Sequence, residues 1–152
     1  MIRHHRIEAR FVTEVPRDLD SGVLYISTEY GTAVHRCCCG CGQEVVTPLT
    51  PTDWKLSTHG NTVSLWPSVG NWNLPCRSHY VIRRNRVIEA GPWTQGRIES
   101  EIRRDKAAKA SYYSQQAAGD ASAGAQSTSH DGAQVPEIAG GWLARLLRWL
   151  FG

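Results

Sequence analysis

The feature that most constrains this chain is the block of residues 35–42, where four of the five cysteines fall within five residues. The fifth, Cys76, lies in a second short block that also contains His79. Thiolates and imidazoles that converge from two separated segments are what a tetrahedral zinc site needs. An odd number of crowded cysteines makes a poor disulfide framework. The pattern therefore predicts a bound Zn²⁺, with the fold built around it.

The alternation of side chains along an extended chain sorts the candidate ligands. The odd-numbered cysteines of the first block would point to one side, whereas Cys38 would point to the other. Cys76 and His79 are three residues apart, so both could bind one ion across a turn. The predicted metal ligands are drawn from this set: Cys37, Cys39, Cys41, Cys76 and His79.

The role of the metal stays open at this level. Four protein ligands would make a structural site, whereas a catalytic site keeps one position for water. Three residues near the cysteines are candidate catalytic groups: His35, Glu44 and Ser78. Each has a plainer interpretation, because His35 could itself be a ligand, Glu44 a solvated charge and Ser78 a turn residue.

Most of the first hundred residues have the patterns of β-strands. Residues 7–15 alternate between apolar and polar side chains, which predicts a half-buried strand. Residues 22–27 form a short apolar run typical of an inner strand, and residues 44–46 a brief strand before Pro48. The chain therefore begins as a β-rich domain on both sides of the cysteine block.

Two hairpins are predicted downstream of the cysteines. The first joins residues 54–56 to residues 62–66 through a turn that contains Gly60 and Asn61. The second joins residues 80–84 to residues 87–89. Residues 67–72 are rich in Pro, Gly and Asn, so they are predicted to form a loop.

The composition changes after residue 94. Residues 97–109 carry opposite charges four apart, which predicts a charged helix. Residues 114–139 contain few large apolar groups and predict a flexible linker, and residues 140–152 predict a short amphipathic helix. The predicted fold is α+β and mostly β: a zinc-stabilised antiparallel sheet domain over residues 1–113 with a C-terminal helix, then the linker and the tail.

The net charge and the distribution of apolar residues indicate which classes of partner the chain could bind. A net charge of +3 is too small to indicate nucleic-acid binding. The Trp- and Leu-rich residues 142–151 are too short to span a bilayer, but they would suit a membrane surface or the groove of a partner protein. They could equally fold back on their own domain. The basic N-terminus has no apolar run behind it, so the cytoplasm is the expected compartment.

Four motifs in fixed order resemble a small bacterial Cys- and His-rich family of unassigned function. They are residues 22–27, 32–42, 64–72 and 75–80, so the resemblance covers about residues 11–105. Members of that family are encoded beside ubiquitin-like proteins and relatives of their activating and conjugating enzymes. The family usually has proline at the position of Cys38, which agrees with the alternation of the cysteines.

The resemblance implies a place in a bacterial ubiquitin-like conjugation pathway. A zinc-dependent peptidase or isopeptidase that processes or removes the modifier is the expected function, with the ubiquitin-like protein and its activating and conjugating enzymes as partners. Backbone amides of residues 68–72 would hold the extended tail of the modifier. The alternative is a non-catalytic adaptor in which a structural zinc supports binding of the modifier or its enzymes.

Overall fold

A computed structural model of the chain describes residues 1–124, with side chains through residue 120. Residues Met1–Ser114 form one compact unit. Across the described residues, eight β-strands form two four-stranded sheets, and one long helix follows them. The prediction of a mostly β fold with a helix after the sheets is confirmed.

The first sheet contains the cysteine-bearing half of the unit. Its strands are β1 (Glu8–Phe11), β2 (Val23–Ser27), β3 (Thr32–Arg36) and β4 (Glu44–Pro48), and they lie in that order across the sheet. The β1–β2 pair is parallel, whereas β2–β3 and β3–β4 are antiparallel. Strand β4 is thus an edge strand that enters the sheet directly after the cysteine loop.

The second sheet is an antiparallel meander. It contains β5 (Lys55–His59), β6 (Thr62–Gly70), β7 (His79–Arg83) and β8 (Arg86–Glu89), again in chain order. Gly60 has a φ of 56° at the first turn, and Asn85 has a φ of 62° at the second, conformations that these residue types tolerate. Both predicted hairpins are therefore confirmed.

The prediction of a loop over residues 67–72 is wrong, because β6 continues to Gly70. Leu65 and Val69 are 1% and 2% exposed, so packing of these side chains keeps the segment in the sheet despite its Pro and Gly content. The register between β6 and β7 is irregular between Leu65 and Val69. Such irregularities bend a strand and re-aim the side chains beside them.

Both sheets contribute to one apolar core. The first sheet supplies Leu24, Ile26 and Val45, and the second supplies Leu65 and Ile82, among others. A smaller cluster around Tyr25 and Val34 covers the other face of the first sheet. The shared core holds the ends of β3, β6 and β7 in fixed positions, and these ends carry the chemically interesting residues.

Helix α1 spans Gln95–Gly124, so it is longer than predicted and includes the first residues of the segment 114–139. Alanines after residue 106 favour this extension because alanine has the highest helix propensity. Ile98 is 2% exposed, and Lys109 Nζ lies 2.7 Å from Asp53 Oδ1. The rest of the predicted linker and the tail 140–152 lie outside the described residues, and the domain boundaries stay predictions. Up to residue 124, no helix has the length and apolar character needed to cross a bilayer.

Candidate functional site

Four cysteine sulfurs converge where the first cysteine block meets the loop before β7. They belong to Cys37, Cys39, Cys41 and Cys76, and all lie within 4.8 Å of one another. Cys37 Sγ is 3.4 Å from Cys39 Sγ and 3.9 Å from Cys76 Sγ. In a tetrahedral site with Zn–S bonds of about 2.3 Å, sulfurs are about 3.8 Å apart. The cluster therefore has the dimensions to hold one metal ion.

Tight turns shape the cysteine loop. Cys37 N–H donates to Gln43 O, and Gly40 N–H donates to Cys37 O, so the chain reverses between the ligands. Gly40 has a φ of 85°, which an L side chain rarely adopts. A Cβ at this position would also lie 2.8 Å from Arg3 Cδ, because the N-terminal segment covers the loop.

Polar side chains support the sulfurs from the protein interior. Ser78 Oγ lies 3.1 Å from Cys37 Sγ and accepts a 2.9 Å hydrogen bond from Asn71 Nδ2. Burial alone would raise the pKa of the Cys76 thiol. Hydrogen bonds from the backbone and hydroxyl of Ser78, and from neighbouring thiols, outweigh that effect and lower this pKa to about 7. A thiol that ionises so readily is suited to bind a cation.

Cys38 lies apart from the cluster. Its side chain is 1% exposed and packs in the apolar core, and its sulfur is not among the four that converge. Burial raises its pKa to about 12, so the thiol stays protonated. Cys38 is therefore a core residue.

The structure does not bring His79 into the cluster. Ser78 directly precedes β7, and its carbonyl accepts from Asn71 N–H beside the Gly70–His79 pair, so the strand pairing reaches Ser78 and its side chain points to the side opposite that of His79. Because the Ser78 hydroxyl contacts the cysteines, the imidazole of His79 faces away from them. The structure therefore brings together four of the five predicted ligands.

His79 instead pairs with a serine on the neighbouring strand. Its Nε2 lies 2.8 Å from Ser68 Oγ. The register places Gly70 of β6 opposite His79 of β7, so Ser68, two residues before Gly70, is the diagonal neighbour on the same face. The Ser–His contact thus follows from the pairing of β6 with β7.

The hydrogen bond at the other ring nitrogen of His79 fixes the tautomer of the imidazole. Nδ1 lies 2.9 Å from the carbonyl oxygen of Gly91, which can only accept a hydrogen bond. Nδ1 therefore carries the proton, and Nε2 has a lone pair free to accept the Ser68 hydroxyl proton. This is the tautomer that a general base needs, and a backbone carbonyl has the orienting role that a carboxylate has in serine-protease triads.

Two tryptophans flank the imidazole. The ring centroid of His79 is 4.9 Å from that of Trp72 and 4.8 Å from that of Trp93. The two indoles stack on each other at 5.5 Å, and the guanidinium of Arg97 lies 4.2 Å from the centre of Trp93. His79 is consequently 6% exposed, and the two indoles restrict its ring to one orientation.

The Ser68–His79 pair opens into a cleft of about 720 Å³ between the second sheet and helix α1. Its apolar walls include Trp66, Trp72 and Trp93. Trp66 is 68% exposed at the mouth, and Ile102 of the helix is 45% exposed. Large apolar side chains exposed around a cleft are typical of a binding surface.

The three catalytic candidates from the sequence, His35, Glu44 and Ser78, lie outside the Ser68–His79 pair. His35 is fully buried, burial lowers its pKa to about 4, and its Nε2 bonds Tyr80 Oη at 2.7 Å. It therefore cannot reach a substrate. Ser78 supports the sulfurs from behind, and Glu44 is an exposed residue at the start of β4.

Ser68 was not recognised from the sequence as a candidate nucleophile. No local motif marks it, because its partner is eleven residues away and the contact depends on an irregular strand register. The available signal is the Trp-, Gly- and Ser-containing segment before a histidine, which by composition alone indicates a loop.

One comparison with known proteins bears on this site. Residues 11–90 match a family model, BubE, described as a bacterial ubiquitination-like system serine protease. Neither the curated proteins nor the solved structures contain a significant match to the chain. The matched residues include Ser68, His79 and the four clustered cysteines.

Proposed function

Since this chain belongs to the BubE family of bacterial ubiquitination-like system serine proteases, we propose that it is a serine peptidase that uses Ser68 as nucleophile and His79 as general base. The observation that carries the proposal is the 2.8 Å contact between Ser68 Oγ and His79 Nε2, with the tautomer set by Gly91 O. A nucleophile, a base and an orienting group in hydrogen-bond contact are the signature of an activated serine.

The reaction follows from the positions of these atoms. His79 Nε2 takes the Ser68 proton as Oγ attacks a peptide carbonyl, and the imidazolium returns this proton to the departing amine. Water then attacks the acyl-serine ester and loses a proton to Nε2. The imidazolium passes this proton to Ser68 Oγ as the ester bond breaks, which releases the acid and restores the free serine. Gly91 O stabilises the transient imidazolium by accepting from Nδ1 throughout.

The metal has a structural role in this proposal. Four thiolates complete a tetrahedral shell, which leaves no position for a reacting water. An all-cysteine set favours zinc among the common cellular metals. The Ser78 hydroxyl contacts Cys37, and the next residue is His79, so the ion would fix the loop that positions the base. Zinc thus contributes to catalysis by stabilising the fold.

Membership of a ubiquitination-like system supports a ubiquitin-like protein as substrate or partner. We assign the peptidase to cleavage at the end of such a modifier, either from a precursor or from a conjugate. A reducing cytoplasm is part of this proposal because free thiols must persist there to bind the metal.

The test is hydrolysis by Ser68→Ala and His79→Ala variants. Each should lower kcat/KM on a small activated ester, p-nitrophenyl acetate, by a factor on the order of 10³ or more, because each removes a member of one catalytic unit. The double variant should be no slower than either single variant, which is the behaviour of groups that act together.

Ser57→Ala is the matched control, since Ser57 lies on exposed strand β5 of the same sheet. It should retain the full rate. Retention of ester hydrolysis by folded Ser68→Ala protein would refute the assignment of the nucleophile. Loss of hydrolysis with a chelator but not with Ser68→Ala would favour metal catalysis instead.

A further inference from the structure

We propose that the substrate chain binds by strand addition in a groove between β4 and the last residues of β6, with the Trp54 indole N–H as a donor to its backbone. This inference rests on the proposed peptidase function and specifies the substrate as an extended peptide segment, such as the tail of a ubiquitin-like protein.

The last part of β6 has an unpaired edge. Strand β5 pairs with β6 only as far as the Lys55–Trp66 pair, whereas β7 continues to Gly70 on the other side. Among residues 1–124, no strand therefore pairs with residues 67–70 on the β5 side. Backbone groups on such an edge are available to another extended chain.

A second unpaired edge faces this one. Within the described part of the chain, strand β4 pairs only with β3, and four consecutive residues of β4, from Glu44 to Thr47, line a groove of about 190 Å³. The opposite wall includes Val69, Gly70 and Asn71. Consecutive residues of a strand can line the same space only at its edge, because their side chains alternate between faces. The groove therefore lies between two strand edges.

Trp54, one of the residues that line the groove, has an unsatisfied donor. Trp54 Nε1 is buried and has no hydrogen-bond partner among the described residues. A buried N–H without a partner is costly in a native protein, and an acceptor brought by a ligand would remove this cost. A carbonyl of an extended peptide is such an acceptor.

The groove is continuous with the catalytic cleft. Trp54 and Gly70 line both spaces, and Gly70 is two residues from Ser68 on the same strand. A peptide held beside β6 would thus lead its next residues past Gly70 toward the Ser68 hydroxyl. Strand addition gives affinity through main-chain hydrogen bonds and leaves the reacting carbonyl near a fixed position.

The experiment separates binding from chemistry with two probes. One is p-nitrophenyl acetate, which needs only Ser68 and His79. The other is an acetylated hexapeptide of alternating alanine and glycine with a C-terminal coumarin amide, together with two forms that are N-methylated at odd or at even positions upstream of the scissile bond. N-methylation removes the donors of a β-ladder without changing the sequence.

At least one methylated form should show a kcat/KM roughly three- to tenfold lower for each ladder hydrogen bond lost, since alternate amides point to opposite edges. Trp54→Phe should lower kcat/KM on the unmethylated peptide by a similar factor. A circular-dichroism spectrum and a thermal unfolding temperature equal to those of the unsubstituted protein show that this variant is folded.

Equal cleavage of all three peptides would overturn strand addition. The proposal would also be overturned if the unmethylated peptide is not cleaved and, in a fluorescence anisotropy titration, does not bind Ser68→Ala protein. An unchanged peptide rate in Trp54→Phe would also overturn the proposed donor. Ester hydrolysis that does not depend on Ser68 would instead contradict the proposed function, while peptide binding to Ser68→Ala would still report on the groove.

Discussion

Cysteines that are adjacent in the sequence have different roles in this protein. Cys37 contributes a sulfur to the cluster, whereas the sulfur of Cys38 packs in the core. The difference can be tested because the two residues are equally buried, each at 1% exposure. Any difference between their variants must then arise from metal binding and not from burial.

We expect Cys38→Ala to retain the metal and to lose about 1–2 kcal/mol of unfolding free energy, because a small buried side chain is shortened. Cys37→Ala should lose both metal and fold, since structural zinc sites contribute roughly 10 kcal/mol or more in apparent binding free energy. Elemental analysis and thermal unfolding check both expectations. Equal metal loss in the two variants would contradict the assignment.

The sequence predicts the strands more completely than it predicts the proposed catalytic residues, Ser68 and His79. Alternation and turn residues sufficed for both hairpins, since these are local signals. Ser68 and His79 meet only because β6 continues past Pro67 and pairs with β7 in an irregular register. That continuation depends on burial of Val69 in a core shared by two sheets, which no local pattern reports. The contact between Ser68 and His79 therefore depends on long-range packing, which local sequence patterns do not reveal.

At the scale of elements, the start of helix α1 restrains His79, the proposed general base. Trp93 lies two residues before the helix, stacks on Trp72 and contacts His79. Ile98, in the first turn of the helix, is anchored by burial. The helix thus positions residues that touch the imidazole.

Trp93→Ala should lower kcat on p-nitrophenyl acetate by roughly tenfold and leave KM nearly unchanged, because the imidazole loses one of its walls. Trp93→Phe keeps a ring beside His79 and should recover most of this rate. The kcat and KM of both variants are the measurement. A change in KM alone would show that Trp93 binds substrate and does not position His79.

At the scale of the whole molecule, the two candidate functional regions are separate in sequence. The cysteine cluster and the Ser68–His79 pair both lie within Met1–Ser114, whereas the Trp-rich residues 142–151 lie in the remaining part of the chain. Catalysis should therefore be separable from any membrane or partner contact made by the tail.

Deletion of residues 125–152 should leave the thermal unfolding temperature and Ser68-dependent ester hydrolysis unchanged. It should abolish association with anionic lipid vesicles or a partner groove, because the Trp and Leu side chains supply the apolar area for such binding. Vesicle co-sedimentation of full-length and shortened protein checks this. A large drop in unfolding temperature would show instead that the tail packs on its own domain.

The partner that orients His79 belongs to the main chain, since Gly91 supplies its carbonyl oxygen. Every amino acid has this atom, but at a φ of 74° only glycine holds it in place without strain, so a substitution at position 91 should displace the carbonyl. A carbonyl also has no proton to gain, and acidification cannot disable it as it would an aspartate. In the proposed mechanism, the orientation of the base is therefore set by the bend at Gly91 and not by a third side chain.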